Sequence, residues 1–226
     1  MMKRITVLLA EDHPIVRVGF RSLLAPEGDI EVVGEAATGR EAVQLTRKLH
    51  PAVVVMDIAM PLLNGLEATR QIRRDFPDTR VIILSAHSDD AYVEQAIALG
   101  ASGFLLKQAS SDNLAAAIRE VQKGKSYFSR TISKRLRGRK PEPRNPGRAF
   151  KKKTNRLSSR EVEVLQLIAE GKPNKQVAAE LGVSFKTVDK HRQHLMAKLN
   201  IHDVSGLTRY AINAGIIESN VPVTIS

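Results

Sequence analysis

Five side chains that could hold a metal ion and a phosphate group stand at the ends of apolar runs in this 226-residue chain. They are Glu11, Asp12, Asp57, Ser85 and Lys107. Carboxylates held close together repel one another, and a hard divalent cation with oxygen ligands relieves that repulsion. An ammonium and a hydroxyl can hold phosphoryl oxygens, and a carboxylate can accept a phosphoryl group covalently. The set indicates phosphoryl transfer assisted by Mg²⁺, with Asp57 as the nucleophile.

The elements that must position these residues follow from alternating sequence patterns. Five short runs rich in β-branched residues alternate with helical stretches, at residues 5–9, 30–33, 52–56, 80–84 and 103–106. The run 52–56 is apolar throughout, which is typical of a strand buried on both faces of a parallel sheet. The pattern predicts an α/β domain with (βα)5, flavodoxin-like architecture.

In such a doubly wound sheet, ligands bind outside the carboxyl ends of the strands. The five polar residues come from four different strand ends and are therefore expected at one edge. Each alone has an ordinary explanation, because an acidic pair after a strand is often a solvated turn and Asp57 could cap a loop. Their joint placement favours a single acidic pocket.

A second, small all-α domain follows. Ser158 and Glu161 have the spacing of a capping box at the start of a helix that ends near Gly171. A second helix at 174–181 turns at Gly182 into a third helix capped by Ser184, and a fourth runs over about 204–214. This order of short helices predicts a helix-turn-helix.

The third helix has one apolar face and one polar face. When Val188 is placed inward, helical spacing also turns Leu195 and Leu199 inward. The same spacing turns Lys186, Lys190, Gln193 and Ala197 outward. A polar face can be merely solvated, but two short helices with an exposed Lys and Gln face match a motif that reads the major groove of DNA.

The predicted domain boundaries are 1–126, 127–154 for a linker, and 155–226. Residues 130–156 hold 12 Lys and Arg but one acidic residue, so this segment alone accounts for the chain's net charge of +11. With three prolines and few large apolar residues, it cannot bury enough surface to fold alone. Two interpretations stay open: a solvated tether, or a tether that adds phosphate contacts on DNA.

Several classes of protein and site are excluded or disfavoured. The chain has no cysteine, so it has neither disulfides nor a thiolate zinc site. Its apolar runs are too short for a signal-peptide core or for the roughly 20 residues of a membrane span. His191, His194 and His202 have no suitably placed acidic ligand beside them in sequence. We expect a soluble, cytoplasmic protein.

Three segments resemble the signature blocks of receiver domains: residues 7–13 (VLLAEDH), 55–65 (VMDIAMPLLNG) and 103–107 (GFLLK). The resemblance covers about residues 4–124. It implies that Asp12 and Asp57 bind Mg²⁺ directly, that Glu11 binds it through water, and that the backbone carbonyl of Ala59 completes the protein ligands.

The resemblance also assigns the remaining pocket residues. Lys107 would contact the phosphoryl group, and Ser85 with Phe104 would form a switch pair that moves when Asp57 is phosphorylated. Gln108 replaces the proline that often follows the lysine, and residues 107–110 (KQAS) are similar to the NarL/FixJ class.

The C-terminal segments 157–165 (LSSREVEVL), 171–175 (GKPNK) and 184–191 (SFKTVDKH) resemble LuxR-type DNA-binding domains over about residues 155–217. The resemblance carries base contacts to Asp189, Lys190 and Gln193. The other residues predicted to bind DNA, mostly through phosphates, are Asn174, Lys175, Lys186, Thr187 and Arg192. Asp189 stands where lysine is common and could accept a hydrogen bond from cytosine or only reject some sites.

The combined interpretation is a two-component transcription factor. A partner histidine kinase would phosphorylate Asp57, and the active form would bind double-stranded DNA as a homodimer. We expect no enzymatic activity beyond the chain's own phosphoryl acceptance and hydrolysis. The alternative is a DNA-binding protein or interaction adaptor that works without phosphorylation and keeps a vestigial receiver, which the intact pocket set disfavours.

Overall fold

The computed structural model describes residues 4–86, 90–108, 111–128 and 157–217. The chain divides into two compact units, residues 1–143 and 144–226. The described part of the first unit is α/β and that of the second is helical, which confirms the predicted fold class. The predicted domain boundaries stay predictions.

The first unit is built on a parallel sheet. Its strands are β1 (Ile5–Ala10), β2 (Ile30–Ala36), β3 (Val53–Asp57), β4 (Arg80–Ser85), β5 (Gly103–Leu106) and β6 (Tyr127–Phe128). They lie in the order β2-β1-β3-β4-β5-β6, and every neighbouring pair is parallel. The order reverses direction at β1 and β3, and ligand sites of doubly wound sheets lie at such a point.

Helices cover the sheet on both faces. They are α1 (Pro14–Leu24), α2 (Gly39–Leu49), α3 (Gly65–Asp75), α4 (Asp90–Ala98) and α5 (Ser111–Gln122). Because successive strand residues face opposite sides, Leu8 and Val54 belong to one buried cluster, while Val7 and Val55 belong to the other. This double burial is the reason the strands are apolar without alternation.

The sequence pattern predicted five strands, and the structure has a sixth. Tyr127 and Phe128, which the prediction placed in the linker, pair with Gly103 and Phe104 of β5. The backbone N–H of Tyr127 also donates to the Ser102 carbonyl at 2.9 Å. Two residues are too few to show a period, so sequence periodicity could not identify β6. The rest of the predicted linker lies outside the described residues.

The second unit contains four described helices: α6 (Ser159–Ala169), α7 (Asn174–Leu181), α8 (Phe185–Leu199) and α9 (Val204–Asn213). The predicted capping box is present at α6. Ser158 Oγ accepts from the Glu161 N–H at 3.3 Å, and Glu161 Oε2 accepts from the Ser158 N–H at 2.6 Å. Gly182 ends α7 with a φ of 62°, a left-handed conformation that glycine adopts without strain.

Among the described residues, no helix combines the length and the apolar character that crossing a membrane requires.

The loop between β3 and α3 folds back tightly on the strand that carries Asp57. The Gly65 N–H donates to the Ile58 carbonyl at 2.8 Å, and a Cβ on Gly65 would lie 1.7 Å from the Asp57 carbonyl oxygen. Gly39 at the start of α2 donates to the Leu63 carbonyl at 3.1 Å, and a Cβ there would lie 2.1 Å from that oxygen. Two glycines therefore let backbone segments approach closely and fix this loop.

This close approach gives the first prediction. Gly65→Ala should lower the free energy of unfolding by about 3 kcal/mol or more, because the new Cβ must displace the backbone at Asp57. Gly19→Ala is the matched control: it lies inside α1 with nothing within 4 Å of its Cβ position, and should raise stability by about 1 kcal/mol. Urea unfolding followed by circular dichroism measures both. Equal effects of the two substitutions would contradict the role given to Gly65.

Candidate functional site

The carboxyl ends of β1, β3, β4 and β5 meet at one edge of the sheet. Strand register places Ala10 opposite Met56, Asp57 opposite Leu84 and Ser85 opposite Leu106. Glu11 and Lys107 directly follow β1 and β5 at the same edge. The structure therefore brings together pocket residues that are far apart in sequence.

One ammonium group joins two buried carboxylates. Lys107 Nζ lies 2.9 Å from Glu11 Oε2 and 2.9 Å from Asp57 Oδ2. Glu11 and Asp57 are each only 2% exposed. Lys107 reaches them from β5 because its backbone N–H donates to the Ser85 carbonyl at 2.8 Å, which continues the strand pairing by one residue. Sequence reasoning placed Lys107 on a phosphoryl group and did not foresee this double ion pair.

Burial and neighbouring charge make Asp57 hard to ionise. Burial is the main cause that raises the pKa of Asp57 from 3.8 to about 6, and the negative charge of Glu11 adds to it. The Lys107 ammonium acts in the opposite direction but does not offset the other two. For Lys107, burial lowers the pKa, but the two carboxylates outweigh burial and raise it overall.

Three buried carboxylate oxygens accept no hydrogen bond of good geometry: Glu11 Oε2, Asp12 Oδ1 and Asp57 Oδ2. Two of them have the Lys107 ion pairs described above, and the third lies 2.8 Å from His13 Nδ1. Buried oxygens of this kind fit the donor set that a hard divalent cation prefers. The chemistry of the site therefore suits Mg²⁺.

His13 is an additional member of the acidic pocket. One side-chain ligand atom from each of Glu11, Asp12 and His13 lies within 4.8 Å of the others. Asp12 is the main cause that raises the pKa of His13. The sequence places His13 directly after the acidic pair, but that position alone did not identify it as a pocket residue. Its imidazole is mostly exposed.

Arg17 of α1 also supports the acidic pair. Its Nη1 donates to the Glu11 carbonyl at 2.6 Å, and its Nε donates to Glu35 Oε2 at 3.1 Å. These bonds hold the turn after β1 to the end of β2. No sequence signal paired Arg17 with Glu35, because the two residues meet only when β2 lies beside β1.

The predicted switch residues lie inside the fold. Ser85 is buried at the end of β4, and Phe104 is fully buried on β5. The ring of Phe104 belongs to the apolar cluster that contains Val93 and Ala96 of α4. Ala59, whose carbonyl is a predicted metal ligand, follows β3 in the loop fixed by Gly65.

The second unit presents the predicted polar helix face on α8. Val188 and Leu195 are fully buried, as predicted, while Lys186, Lys190 and Gln193 are exposed. Leu199, also predicted inward, is half-buried. The first helical turn of α8 contains the exposed Lys186 and no acidic residue, so it carries positive charge.

Several predicted DNA-contacting residues have partners within the unit. Arg192 Nη1 donates to Asn174 Oδ1 at 3.2 Å, which joins α8 to the start of α7. Gln193 Nε2 donates to Asp189 Oδ2 at 3.0 Å along α8. Thr187 Oγ1 lies 2.9 Å from Ser184 Oγ at the helix cap, and Lys175 is exposed on α7.

Two further contacts join the helices of the second unit to one another. Lys198 Nζ donates to Glu161 Oε2 at 2.9 Å and so joins the end of α8 to the start of α6. Arg160 of α6 donates to the Leu181 carbonyl at 2.9 Å, at the end of α7. The capping residue Glu161 therefore also positions the exposed helix.

Comparison with known families gives two matches. Residues 7–119 match the response regulator receiver domain, and residues 155–211 match the LuxR family of bacterial regulatory proteins.

Similar proteins extend over both matches. The transcriptional regulatory protein MctR of Rhizobium johnstonii is 36% identical over 95% of this chain and 96% of its own length. A structure of the RcsB response regulator of Salmonella typhimurium is 29% identical, covers 94% of this chain and 99% of its own, and has a TM-score of 0.59. A structure of two RcsB dimers bound to two parallel DNAs is 30% identical, covers 92% and 98%, and has a TM-score of 0.57.

The electrostatics of the pocket give a prediction for the metal-free chain. The folded-state pKa of Asp57 is raised from 3.8 to about 6, so the folded state binds the proton more tightly than the unfolded state. Wild-type stability should therefore fall as the pH rises from about 4 to about 6. Asp57→Asn removes the charge, and in EDTA at pH 7 it should be more stable than wild type by about 1–3 kcal/mol, with no difference near pH 4.

Asp75→Asn is the control for this measurement. Asp75 is exposed, and Arg74 holds its pKa below the usual value, so removing its charge should not stabilise the protein at pH 7. Urea unfolding at several pH values measures all three proteins. A metal-free Asp57→Asn variant that is less stable than wild type at pH 7 would contradict the unfavourable ionisation described for Asp57.

Proposed function

The chain belongs to the response regulators that join a receiver domain to a LuxR-type DNA-binding domain, and from this premise we propose that phosphorylation of Asp57 controls DNA binding by α8. Members of this family are transcriptional regulators. The observation that carries the proposal is the pocket itself, where Lys107 joins the buried Asp57 to Glu11.

The proposed reaction needs alignment and charge neutralisation more than covalent participation by other side chains. A carboxylate oxygen of Asp57 attacks the phosphorus of a phosphodonor. The bond from phosphorus to the donor's leaving group breaks, and an acyl phosphate forms on Asp57. The backbone N–H of Ile58, which donates to Asp57 Oδ1 at 2.8 Å, holds the carboxylate in a fixed orientation for this attack.

Lys107 changes partners in this proposal. In the unphosphorylated chain its ammonium balances two carboxylates, and Asp57 Oδ2 is 2.9 Å away. A phosphoryl group on Asp57 brings more negative charge to that position, so the ammonium moves from the carboxylates to a phosphoryl oxygen. Lys107 then stabilises both the transferring group and the phosphorylated product.

The residues proposed to hold Mg²⁺ are Asp12 and Asp57 directly, Glu11 through water, and the backbone carbonyl of Ala59. When bound, the ion supplies positive charge beside the phosphoryl oxygens and relieves repulsion among the carboxylates. Arg17 contributes by holding the backbone of Glu11, and thus the acidic turn, in place.

The proposed switch runs from Ser85 to Phe104. A phosphoryl oxygen attracts the Ser85 hydroxyl at the end of β4, and the ring of Phe104 follows into the space that the serine leaves. Because Phe104 packs in the cluster that includes α4, its movement changes the surface around α4 and β5. Phosphorylation is thereby converted into a change of packing.

For DNA binding, we assign base contacts to Asp189, Lys190 and Gln193. Contacts to the sugar-phosphate backbone of DNA are assigned to Asn174, Lys175, Lys186, Thr187 and Arg192. The exposed lysines of α8 and its buried inner face support this assignment. The bond between Arg192 and Asn174 orients both groups at the junction of α7 and α8 before DNA is bound.

The partners proposed for this chain are a sensor histidine kinase, double-stranded DNA and a second copy of the chain. A dimer on a two-fold operator agrees with the DNA-bound dimers of the similar RcsB. The protein works in the cytoplasm, where its DNA partner lies, and its only chemistry is acceptance and loss of its own phosphoryl group. A vestigial receiver is disfavoured because Asp57, Glu11 and Lys107 lie within ion-pair distance at one edge of the sheet.

Phosphoryl acceptance is tested with acetyl phosphate and Mg²⁺. Wild type should gain one phosphoryl group by mass spectrometry, and Asp57→Asn should gain none, because the amide is a poor nucleophile. Asp75→Asn, an exposed aspartate substitution in the same unit, should react like wild type, and EDTA should suppress the reaction. Equal labelling of Asp57→Asn and wild type would refute the assignment of Asp57.

DNA binding is tested on a duplex enriched by the phosphorylated full-length chain from a random pool. Lys190→Ala should weaken binding about 5- to 100-fold and relax selectivity at one base pair. Arg209→Ala removes an exposed cation of α9 in the same unit and should have a smaller effect. A uniform loss across sequences would instead make Lys190 a phosphate contact, and unchanged affinity would remove it from the interface.

A further inference from the structure

Phe185 is a large apolar side chain with no interior role in the described part of the second unit. It is the first residue of α8 and is 57% exposed, whereas Val188 and Leu195 of the same helix are fully buried. None of the DNA-contact assignments above includes it. Single exposed apolar residues are common on protein surfaces, so the meaning of Phe185 depends on its surroundings.

The first half of α8, where Phe185 lies, carries more positive than negative charge, since Asp189 is its one acid. Lys186 and Lys190 are both exposed, and the first turn of α8 has no acidic residue. Such a surface complements a polyanion better than it complements an apolar protein surface or a second copy of itself. The occupant of this surface is therefore nucleic acid, and Phe185 would be carried into the groove with the lysines.

Phe185 also heads a row of side chains along α8. Gln193 Nε2 donates to Asp189 Oδ2 at 3.0 Å, which shows that residues four apart on this helix touch. Phe185 lies four residues before Asp189 and so occupies the same side of the helix. The row presents an aromatic ring, then a carboxylate, then an amide whose carbonyl oxygen is available to accept.

These groups match features of base edges in the major groove. Carboxylate and amide oxygens accept from the exocyclic amino groups of cytosine or adenine, and the apolar feature of the groove is the C5-methyl group of thymine. We infer that Phe185 is a specificity-determining residue that contacts a thymine methyl group. Four helical residues advance about 6 Å, so this thymine lies within about two base pairs of the base read by Asp189.

This inference rests on the proposed DNA binding by α8, and its test uses the full-length phosphorylated chain. The duplex enriched by wild type from a random pool is resynthesised with each thymine replaced singly by deoxyuridine, which removes only the methyl group. At one position per half-site, this replacement should weaken wild-type binding about 3- to 5-fold, the effect of one buried methyl group. Phe185→Ala should bind the thymine and deoxyuridine duplexes equally.

Two variants keep the comparison interpretable. Phe185→Leu retains apolar volume and should keep part of the thymine preference. Val204→Ala truncates another exposed apolar residue, which is likewise the first residue of a helix in this unit, and should keep the full preference. Because Phe185 is exposed, its variants should unfold at the wild-type urea concentration, which separates an effect on DNA from misfolding.

Three results would overturn the inference. Phe185→Ala could retain the full ratio of affinities for thymine and deoxyuridine, or wild type could be insensitive to every replacement. Phe185→Ala could also change the oligomeric state measured by light scattering while the ratio of thymine to deoxyuridine affinities stays unchanged. That result would place the ring of Phe185 in a contact between two copies of the chain. In each case the DNA-binding proposal survives, whereas a wild-type chain that enriches no duplex refutes both.

Discussion

Negative charge concentrated at one edge of a sheet is the constraint on which the first unit depends. Parallel strands direct their carboxyl ends to the same edge, so Glu11 and Asp12, which follow β1, lie near Asp57, which ends β3. The ammonium of Lys107 is the compensating charge that contacts both Glu11 and Asp57. This compensation is partial, since burial and the charge of Glu11 together still raise the pKa of Asp57 to about 6. A buried acidic site of this kind favours added positive charge, as a bound divalent cation would supply.

The two units position their candidate functional groups in different ways. In the first, the candidate groups are buried or half-buried and are placed by strand register and by a loop that two glycines allow to approach the backbone closely. In the second, the candidate DNA-contacting groups are exposed or half-buried, and the apolar side chains beneath them are buried. Lys198 and Glu161 join α8 to α6, and Arg192 joins α8 to α7, so an exposed helix is held by polar contacts as well as by its apolar face.

Sequence patterns predicted the features that depend on long-range regularity. The apolar strands, the helical periods and the convergence of Asp57 and Lys107 follow from the period of the hydrophobic residues and the geometry of parallel sheets. The features that were missed depend on particular contacts. The two-residue strand β6 shows no period, and the double ion pair of Lys107 depends on side-chain reach across two strands. The bond from Gln193 to Asp189 competes with base contacts that the sequence alone assigned to each residue separately.

The strand β6 also affects where the chain can be truncated without exposing an edge of the sheet. Without Tyr127 and Phe128, β5 would become the edge of the sheet, and its unpaired backbone groups would be open to another chain. A fragment that stops at residue 126 exposes this edge, whereas one that stops at residue 128 keeps it covered. Because β5 leads directly into Lys107, self-association of the shorter fragment would also disturb the acidic pocket. We therefore expect a fragment that ends at residue 128 to self-associate less than one that ends at the predicted boundary, residue 126.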